Sequence, residues 1–377
     1  MDKKKVYIIT LHRVKNYGSV LQAYALQEIL KDKGCQVTVL DYFPYRCTNR
    51  GLLKKLKYKS PKFRFSLLLL AAKILIYPSY IKKNIVFANY LKKYINLSKQ
   101  QFSLSEEACG IFDDGDIYCT GSDQVWNSYF NDGIDRALFL DFVSKDKLCF
   151  SYAASIGLSS LPETEVNETA QLLEKYEFIS VRENKGVEIL EKMGIHSIQV
   201  LDPTLLFTKD RWNKYASNKY ANEKYVLTYN LHHDPEIDRY AQAIARILKL
   251  KVYNVSYNWH DFIRKGQLKW CPSVEEFLGL IRDAQYVIAD SFHAVAFSVI
   301  FEKQFVSICP EIASSRITSL LDVLGLKDRL EYKYTNISNM LTSIDYDKVL
   351  ERLHQERIKS ISYINSVLNC NSFTHNK

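Results

Sequence analysis

A chain of 377 residues, 47% hydrophobic and 25% charged, is a globular sequence too long for one ordinary core and long enough for two domains. With only 13 glycines it does not suit a glycine-rich phosphate cradle, and it carries no P-loop, dinucleotide-binding, nucleophile-elbow or zincin motif. Its eight cysteines form no C-x-x-C pair and several lie inside apolar runs, as buried thiols do in a reducing compartment, while the net charge of +9 is concentrated in one stretch.

The start, Met1-Asp2-Lys3-Lys4-Lys5, leads into an apolar run from Val6 to Leu11 that ends at His12-Arg13. So short a run reads as a first strand and not as a signal peptide, so a cytoplasmic location is expected. Asn16-Tyr17-Gly18-Ser19 reads as a tight turn, Val20 to Lys33 as an amphipathic helix closed by Gly34, and Val37 to Leu40 as the next strand. This is the opening of a doubly wound sheet.

Between Tyr42 and Ser105 there are fourteen Lys and Arg and no Asp or Glu, which leaves the rest of the chain net acidic. The segment from about 46 to 99 is expected to be a basic, largely helical insertion. Its apolar centre, Phe63 to Tyr77, is too short and too charged to span a bilayer, which needs roughly 20 apolar residues. Two readings stay open: contact with an anionic membrane surface, and a core helix flanked by solvated lysines. No motif that reads nucleic acid accompanies the charge, so no nucleic-acid partner is expected.

Ile117 to Thr120 is a further strand and delivers Gly121-Ser122-Asp123-Gln124-Val125-Trp126-Asn127. Asp114 and Asp116 imitate a metal-holding pair but precede this strand instead of following it, which favours a solvated turn. Leu148 to Tyr152 reads as a strand, about Glu165 to Tyr176 as a helix, and Phe178 to Val181 as a strand ending in Arg182-Glu183-Asn184. Ile198 to Leu201 ends at Asp202-Pro203-Thr204, where proline stops the strand. Residues 1–206 are therefore expected to form one Rossmann-like domain, 207–224 an irregular linker and 225–339 a second Rossmann-like domain.

In that second part, strands at Tyr225 to Leu231, Val252 to Val255, Tyr286 to Ala289 and Phe305 to Ile308 alternate with helices near Pro235 to Leu248, Ser273 to Asp283 and Ser314 to Leu324. Residues 340–377 read as terminal helices and a tail that pack back over the cleft. The expected fold class is α/β, two Rossmann-like doubly wound domains facing a cleft where a donor and an acceptor meet.

Several strand ends carry groups suited to chemistry. Asp290 and Ser291 are good N-cap residues, so the following helix directs N–H groups and a positive dipole at an anion, with His293 in its first turn. Arg182, and Arg316 at the start of another helix, are candidates for bidentate anion contact, with a surface salt bridge as the alternative for each. Asp123 is a candidate acid or base and Trp126 a sugar-stacking platform, against a capped turn with a core tryptophan. Asn16 to Ser19 offers backbone N–H groups, although Gly18 is equally explained as a turn glycine. The adjacent pair His232-His233 has no evident third ligand, so no metal is expected.

Taken in order, Asn16-Tyr17-Gly18-Ser19-Val20-Leu21-Gln22-Ala23-Tyr24, Gly121 to Asn127, Ser151-Tyr152-Ala153-Ala154-Ser155, Ser180-Val181-Arg182-Glu183, Asp202-Pro203-Thr204 and Asp290-Ser291-Phe292-His293-Ala294 resemble the polysaccharide pyruvyl transferase family. The resemblance runs from about residue 6 to 330 and leaves out the basic insertion. It implies a glycosyltransferase-B-like fold and transfer of a pyruvyl group from phosphoenolpyruvate, a co-substrate and not a bound cofactor, to two hydroxyls of a sugar. The product is a cyclic ketal on a cell-surface polysaccharide or its lipid-linked precursor.

The resemblance further implies that Arg182 and His293 contact the donor. Some members carry Arg-Leu-His where this chain has Ser291-Phe292-His293, which leaves one anion contact to Arg316 or another basic residue. His293 is then expected to donate a proton and Asp123 to accept one. Asn16, Tyr17, Gly18, Ser122, Gln124, Trp126 and Asn127 are expected to face the saccharide. An acceptor on a polyprenyl diphosphate would make the protein peripheral to the inner face of a membrane. Two other readings remain: a nucleotide-sugar-dependent glycosyltransferase, and a non-catalytic polysaccharide-binding or scaffold member, for which the Ser291 departure is the main argument.

Overall fold

The computed structural model describes residues 3–44, 47, 66–308, 315–333, 337 and 341–370, and the side chains of all of these except 66–74. Six strands, β1 (Lys5–Ile9), β2 (Gln36–Tyr42), β3 (Leu97–Phe102), β4 (Ile117–Thr120), β5 (Leu148–Ser151) and β6 (Tyr176–Phe178), form a parallel sheet in the order 3-2-1-4-5-6. A two-stranded parallel sheet of β7 (Ser180–Val181) and β8 (Ile198–Gln199) follows. The strands β9 (Tyr225–Tyr229), β10 (Lys251–Ser256), β11 (Gln267–Trp270), β12 (Tyr286–Ala289), β13 (Gln304–Ile308) and β14 (Leu330–Glu331) then repeat the same order, again all parallel. This is the expected pair of Rossmann-like sheets.

The connecting helices of the first half are α1 (Tyr17–Asp32), α2 (Ser66–Tyr94), α3 (Ser128–Asn131), α4 (Glu163–Leu173), α5 (Asn184–Lys192), α6 (Pro203–Leu206) and α7 (Lys209–Asn213). Those of the second are α8 (Pro235–Leu248), α9 (Val274–Asp283), α10 (Phe292–Ile300), α11 (Ser315–Leu324) and α12 (Tyr346–Asn369). Helices cover both faces of each sheet, so the central strands are apolar throughout and their side chains alternate between two cores. Val6 and Ile8 enter a core that runs on through Trp212, Phe277 and Val295 into the second half. Tyr7 and Ile9 face a separate core with Trp126 and Phe139.

Several local expectations are revised. Asn16 to Ser19 is the start of α1 and not a tight turn: the Asn16 side chain accepts a hydrogen bond from the Gly18 amide at 2.9 Å and caps the helix. The stretch expected to be an insertion is the crossover from β2 to β3, and within it Leu97–Phe102 is an edge strand of the main sheet. Residues 45–46 and 48–65 of that stretch lie outside the described residues. The single strand expected over Phe178–Val181 divides at Ile179, one part entering the main sheet and the other the small one. The segment 207–224 contains α7, whose Trp212 is fully buried and donates its indole N–H to the Thr204 carbonyl at 2.9 Å.

The last helix joins the two halves. Near its start the Tyr346 hydroxyl donates to the Lys303 carbonyl at the second sheet. Further on, Arg357 donates to the carbonyls of Leu205 and Phe207 at 2.6 and 2.8 Å, Ser360 accepts from the Leu201 amide at 3.0 Å, and Tyr363 donates to the Ser151 carbonyl at 2.8 Å.

Candidate functional site

In each sheet the strand order reverses between two central neighbours, β1 and β4 in one and β9 and β12 in the other. Loops leaving such a pair diverge and open a crevice, the place where open α/β sheets bind ligands. In the first half the turn after β4 carries Asp123, held at φ +77°, a left-handed conformation that aspartate tolerates better than most residues. That turn buries the Asp123 carboxylate, which accepts the Ser19 hydroxyl of the first turn of α1 at 2.6 Å.

The centre of the cluster is Asp202, the N-cap of α6. One of its oxygens accepts from the Thr204 amide and hydroxyl, at 3.0 and 2.7 Å. The other accepts from the Ser122 hydroxyl at 2.8 Å and from Nη1 of Arg182 at 2.9 Å. His293, from the first turn of α10, places Nε2 3.6 Å from that same oxygen. Arg182 Nη2 lies 3.8 Å from Asp123, and the guanidinium sits 4.3 Å above the Phe292 ring. Residues from both sheets thus meet at one buried cluster.

Its electrostatics are mutual. Burial would raise the Asp123 carboxyl, but Arg182, His293, the Ser19 hydrogen bond and Arg316 outweigh it and hold the group below the usual carboxylate range. Asp202 is held well below that range, burial again being overcome, here by His293, Arg182 and the Thr204 amide. Burial opposes the charge on Arg182, yet Asp202 and Asp123 keep it firmly protonated. Nε and Nη2 of Arg182 and Nε2 of His293 are nevertheless buried without a hydrogen-bond partner. Two of these three atoms face carboxylates just beyond hydrogen-bond distance, Nη2 toward Asp123 at 3.8 Å and Nε2 toward Asp202 at 3.6 Å, so the cations are held by charge more than by hydrogen bonds.

The two halves touch tightly here. A Cβ built on Gly18 would lie 1.9 Å from Nδ1 of His293, so this position is glycine because α1 and the imidazole approach closely. A narrow recess lined by Arg182, Gln199, Asp202, Phe292 and Leu320 adjoins the cluster.

At the crevice of the second sheet, Asp290 does not cap α10, and neither does the Ser291 side chain. The Asp290 carboxylate instead accepts the amides of Leu231 and His232 and faces Nδ1 of His232, each at 2.8 Å. This contact raises the His232 pKa above its ordinary value, more than burial lowers it. Arg316 contributes electrostatically to both His232 and Asp123, lowering the pKa of each.

The structure brings together Asp123, Arg182 and His293, three of the residues singled out from sequence, with Arg316 acting on Asp123 electrostatically. Others it reassigns. Trp126 is no stacking platform: its ring stacks on Phe139 with centroids 5.5 Å apart and its N–H donates to the Leu138 carbonyl in the core. Tyr17 is fully buried between Phe277 and Tyr257. Ser122 serves Asp202, and Asn127 caps α3, accepting from the Phe130 amide. Asn16 and Gln124 keep partial exposure. Asp202, Ser19 and His232 belong to the site although the sequence assigns none of them a role in it. Only the strand-end position of Asp202-Pro203-Thr204 could have signalled the first of these.

Among the described residues no group of three or more His, Cys, Asp or Glu could hold a metal, and no helix is long and apolar enough to cross a membrane. The sequence model of the family "Polysaccharide pyruvyl transferase" matches residues 16–308. No curated protein is matched by the sequence. Similar solved structures include a Listeria monocytogenes protein described as a UDP-N-acetylglucosamine 2-epimerase, with 10% identity, 99% of this chain and 92% of that chain covered and a TM-score of 0.49. MnaA of S. aureus in complex with UDP shows 11% identity, 98% coverage of both chains and a TM-score of 0.48. LpCGTa in complex with UDP shows 11% identity, coverage of 98% and 100% and a TM-score of 0.46.

Proposed function

Because the chain belongs to the polysaccharide pyruvyl transferase family, we propose that it moves a pyruvyl group from phosphoenolpyruvate to two hydroxyls of a saccharide, closing a cyclic ketal. The observation that carries this reading is the buried pair of Arg182 and His293 at the junction of the two sheets, with Nε and Nη2 of the one and Nε2 of the other making no hydrogen bond within the protein. Phosphoenolpyruvate brings a phosphate and a carboxylate, and a guanidinium with free N–H groups suits either.

In the proposed reaction His293 donates a proton to the enol carbon C3, and a sugar hydroxyl adds to C2. A second hydroxyl then displaces phosphate from C2. Of the two hydroxyl protons released, one replaces that given to C3 and the other leaves with phosphate. Asp123, held ionised by Arg182, is a weak base; its part is to accept a hydrogen bond and fix the guanidinium. His232, oriented by Asp290 and half-exposed, is the group proposed to take up the hydroxyl proton. The acceptor is a saccharide of a cell-surface polysaccharide or of its lipid-linked precursor.

Calorimetry with phosphoenolpyruvate tests the donor, using Arg182→Lys and His293→Gln as shape-conserving controls. Saturable binding by the wild type, weakened roughly tenfold or more in both variants, is the expected result. Absence of binding at millimolar donor, with and without candidate saccharides, would overturn the proposal.

A further inference from the structure

A solvent-facing helix stripe is ordinarily polar, and α2 breaks that rule. Tyr77, Ile81 and Ile85 recur at intervals of four on one face, while Phe87, Tyr90 and Leu91 bury the opposite side in the core. Beside the stripe, the turn 259–263 of the second half presents Phe262 and Ile263. These five apolar side chains are between 39% and 77% exposed. The two pieces are fastened together: the Trp259 amide donates to the Ser79 hydroxyl at 2.9 Å and its indole to the Leu75 carbonyl at 2.5 Å.

Ammonium groups flank this apolar surface. Lys82 lies 4.2 Å over the Trp270 ring and donates to the Trp270 carbonyl, and Lys15 lies 4.8 Å over Tyr80, while Lys83, 4.0 Å over Tyr257, is set back from the surface, where burial lowers its pKa to about 8. None of the three forms a salt bridge with a carboxylate among the described residues. The chain from Tyr42 to Ser105 also contains no Asp or Glu that could supply one.

We propose that the face formed by α2 and the turn 259–263 docks on an anionic lipid bilayer, with the apolar side chains entering the headgroup boundary and Lys15 and Lys82 meeting lipid phosphates. Apolar stripe and basic flank are the two components of interfacial binding, one from burial and one from attraction to anionic lipid. A second copy of the chain fits less well, because pairing this face with itself sets lysines that have no carboxylate partner against lysines. The docking rests on surface chemistry alone and is independent of the reaction proposed above.

The test is co-sedimentation of the full-length protein with vesicles of phosphatidylcholine, alone or mixed with phosphatidylglycerol. Recovery with the mixed vesicles should exceed that with neutral ones by roughly tenfold and fall as salt is added. The double variants Ile81→Glu/Ile85→Glu and Phe262→Ser/Ile263→Ser should each lose it while melting as the wild type does. Equal recovery with both vesicles, no recovery with either, or variants that bind like the wild type would overturn the proposal. So would a wild-type dimer in light scattering that the variants abolish, which would assign the face to self-association.

Discussion

Gly18 and His293 approach so closely that a Cβ on Gly18 would meet the imidazole, and each is held within its own helix. Gly18→Ala must displace the imidazole, and a misplacement of about 1 Å near reacting groups costs roughly 100-fold in rate. We expect turnover to fall by that order with the fold intact by circular dichroism; wild-type turnover would show the ring free to yield. Asp202→Asn keeps the shape and removes the charge that offsets Arg182. Leaving a buried guanidinium without its main partner should cost about 3–5 kcal/mol in urea denaturation. A cost under about 1 kcal/mol would mean that Asp123 alone suffices. For His232 the folded pKa is raised, so its contact with Asp290 stabilises fully below the unfolded value near 6.5 and is lost as pH rises through the folded pKa. NMR titration should show this pKa falling in Asp290→Asn; an unchanged value would discard the pairing.

At the scale of elements, α1 is clasped by α9 and the short connection between β11 and α9. Tyr17 stacks on Phe277 at 4.2 Å with planes 5° apart, and its hydroxyl donates to the Pro272 carbonyl at 2.7 Å. Tyr17→Ala should cost about 3–5 kcal/mol, as large-to-small core substitutions do. Tyr17→Phe should cost only about 1 kcal/mol for the lost hydrogen bond. Equal costs in denaturation would show that the hydroxyl, and not the stacked ring, holds the helix. The same contact explains why a tyrosine in the resemblance motif has no surface for an acceptor: its ring is the fastening between the two sheets.

For the whole molecule, a shared core and α12 couple the halves. Arg357→Ala removes two charged donors from the carbonyls of Leu205 and Phe207 and should cost about 1.5–3 kcal/mol. Calorimetric melting of this variant should begin to separate into two transitions; one transition at the wild-type temperature would refute the coupling. Asp41, Asp123 and Asp202 all have depressed folded pKa values, so their stabilisation is present above the unfolded carboxylate value of about 4 and is lost as pH falls below it. Acid unfolding should therefore be steep in the wild type and shallower in Asp202→Asn.

Sequence by itself determined the alternation of strands and helices, the pairing of two Rossmann-like sheets and the strand ends at which polar groups gather. These are local properties: apolar runs of strand length, helical spacing and turn chemistry lie within a few residues of one another. The edge strands β3, β11 and β14 escaped because they are partly exposed and carry no continuous apolar run, as in Leu97-Ser98-Lys99-Gln100-Gln101-Phe102. Only the tertiary structure decided what the polar groups do. Ser122 reaches Asp202 across 80 residues of sequence, and His293 reaches the same carboxylate from the other sheet. Such partners are chosen by the 3-2-1-4-5-6 order, which sets distant strand ends side by side. That order also sent Trp126 and Tyr17 into the core and put Asp202, in the chain only the polar start of a strand-ending turn, at the centre of the charge cluster.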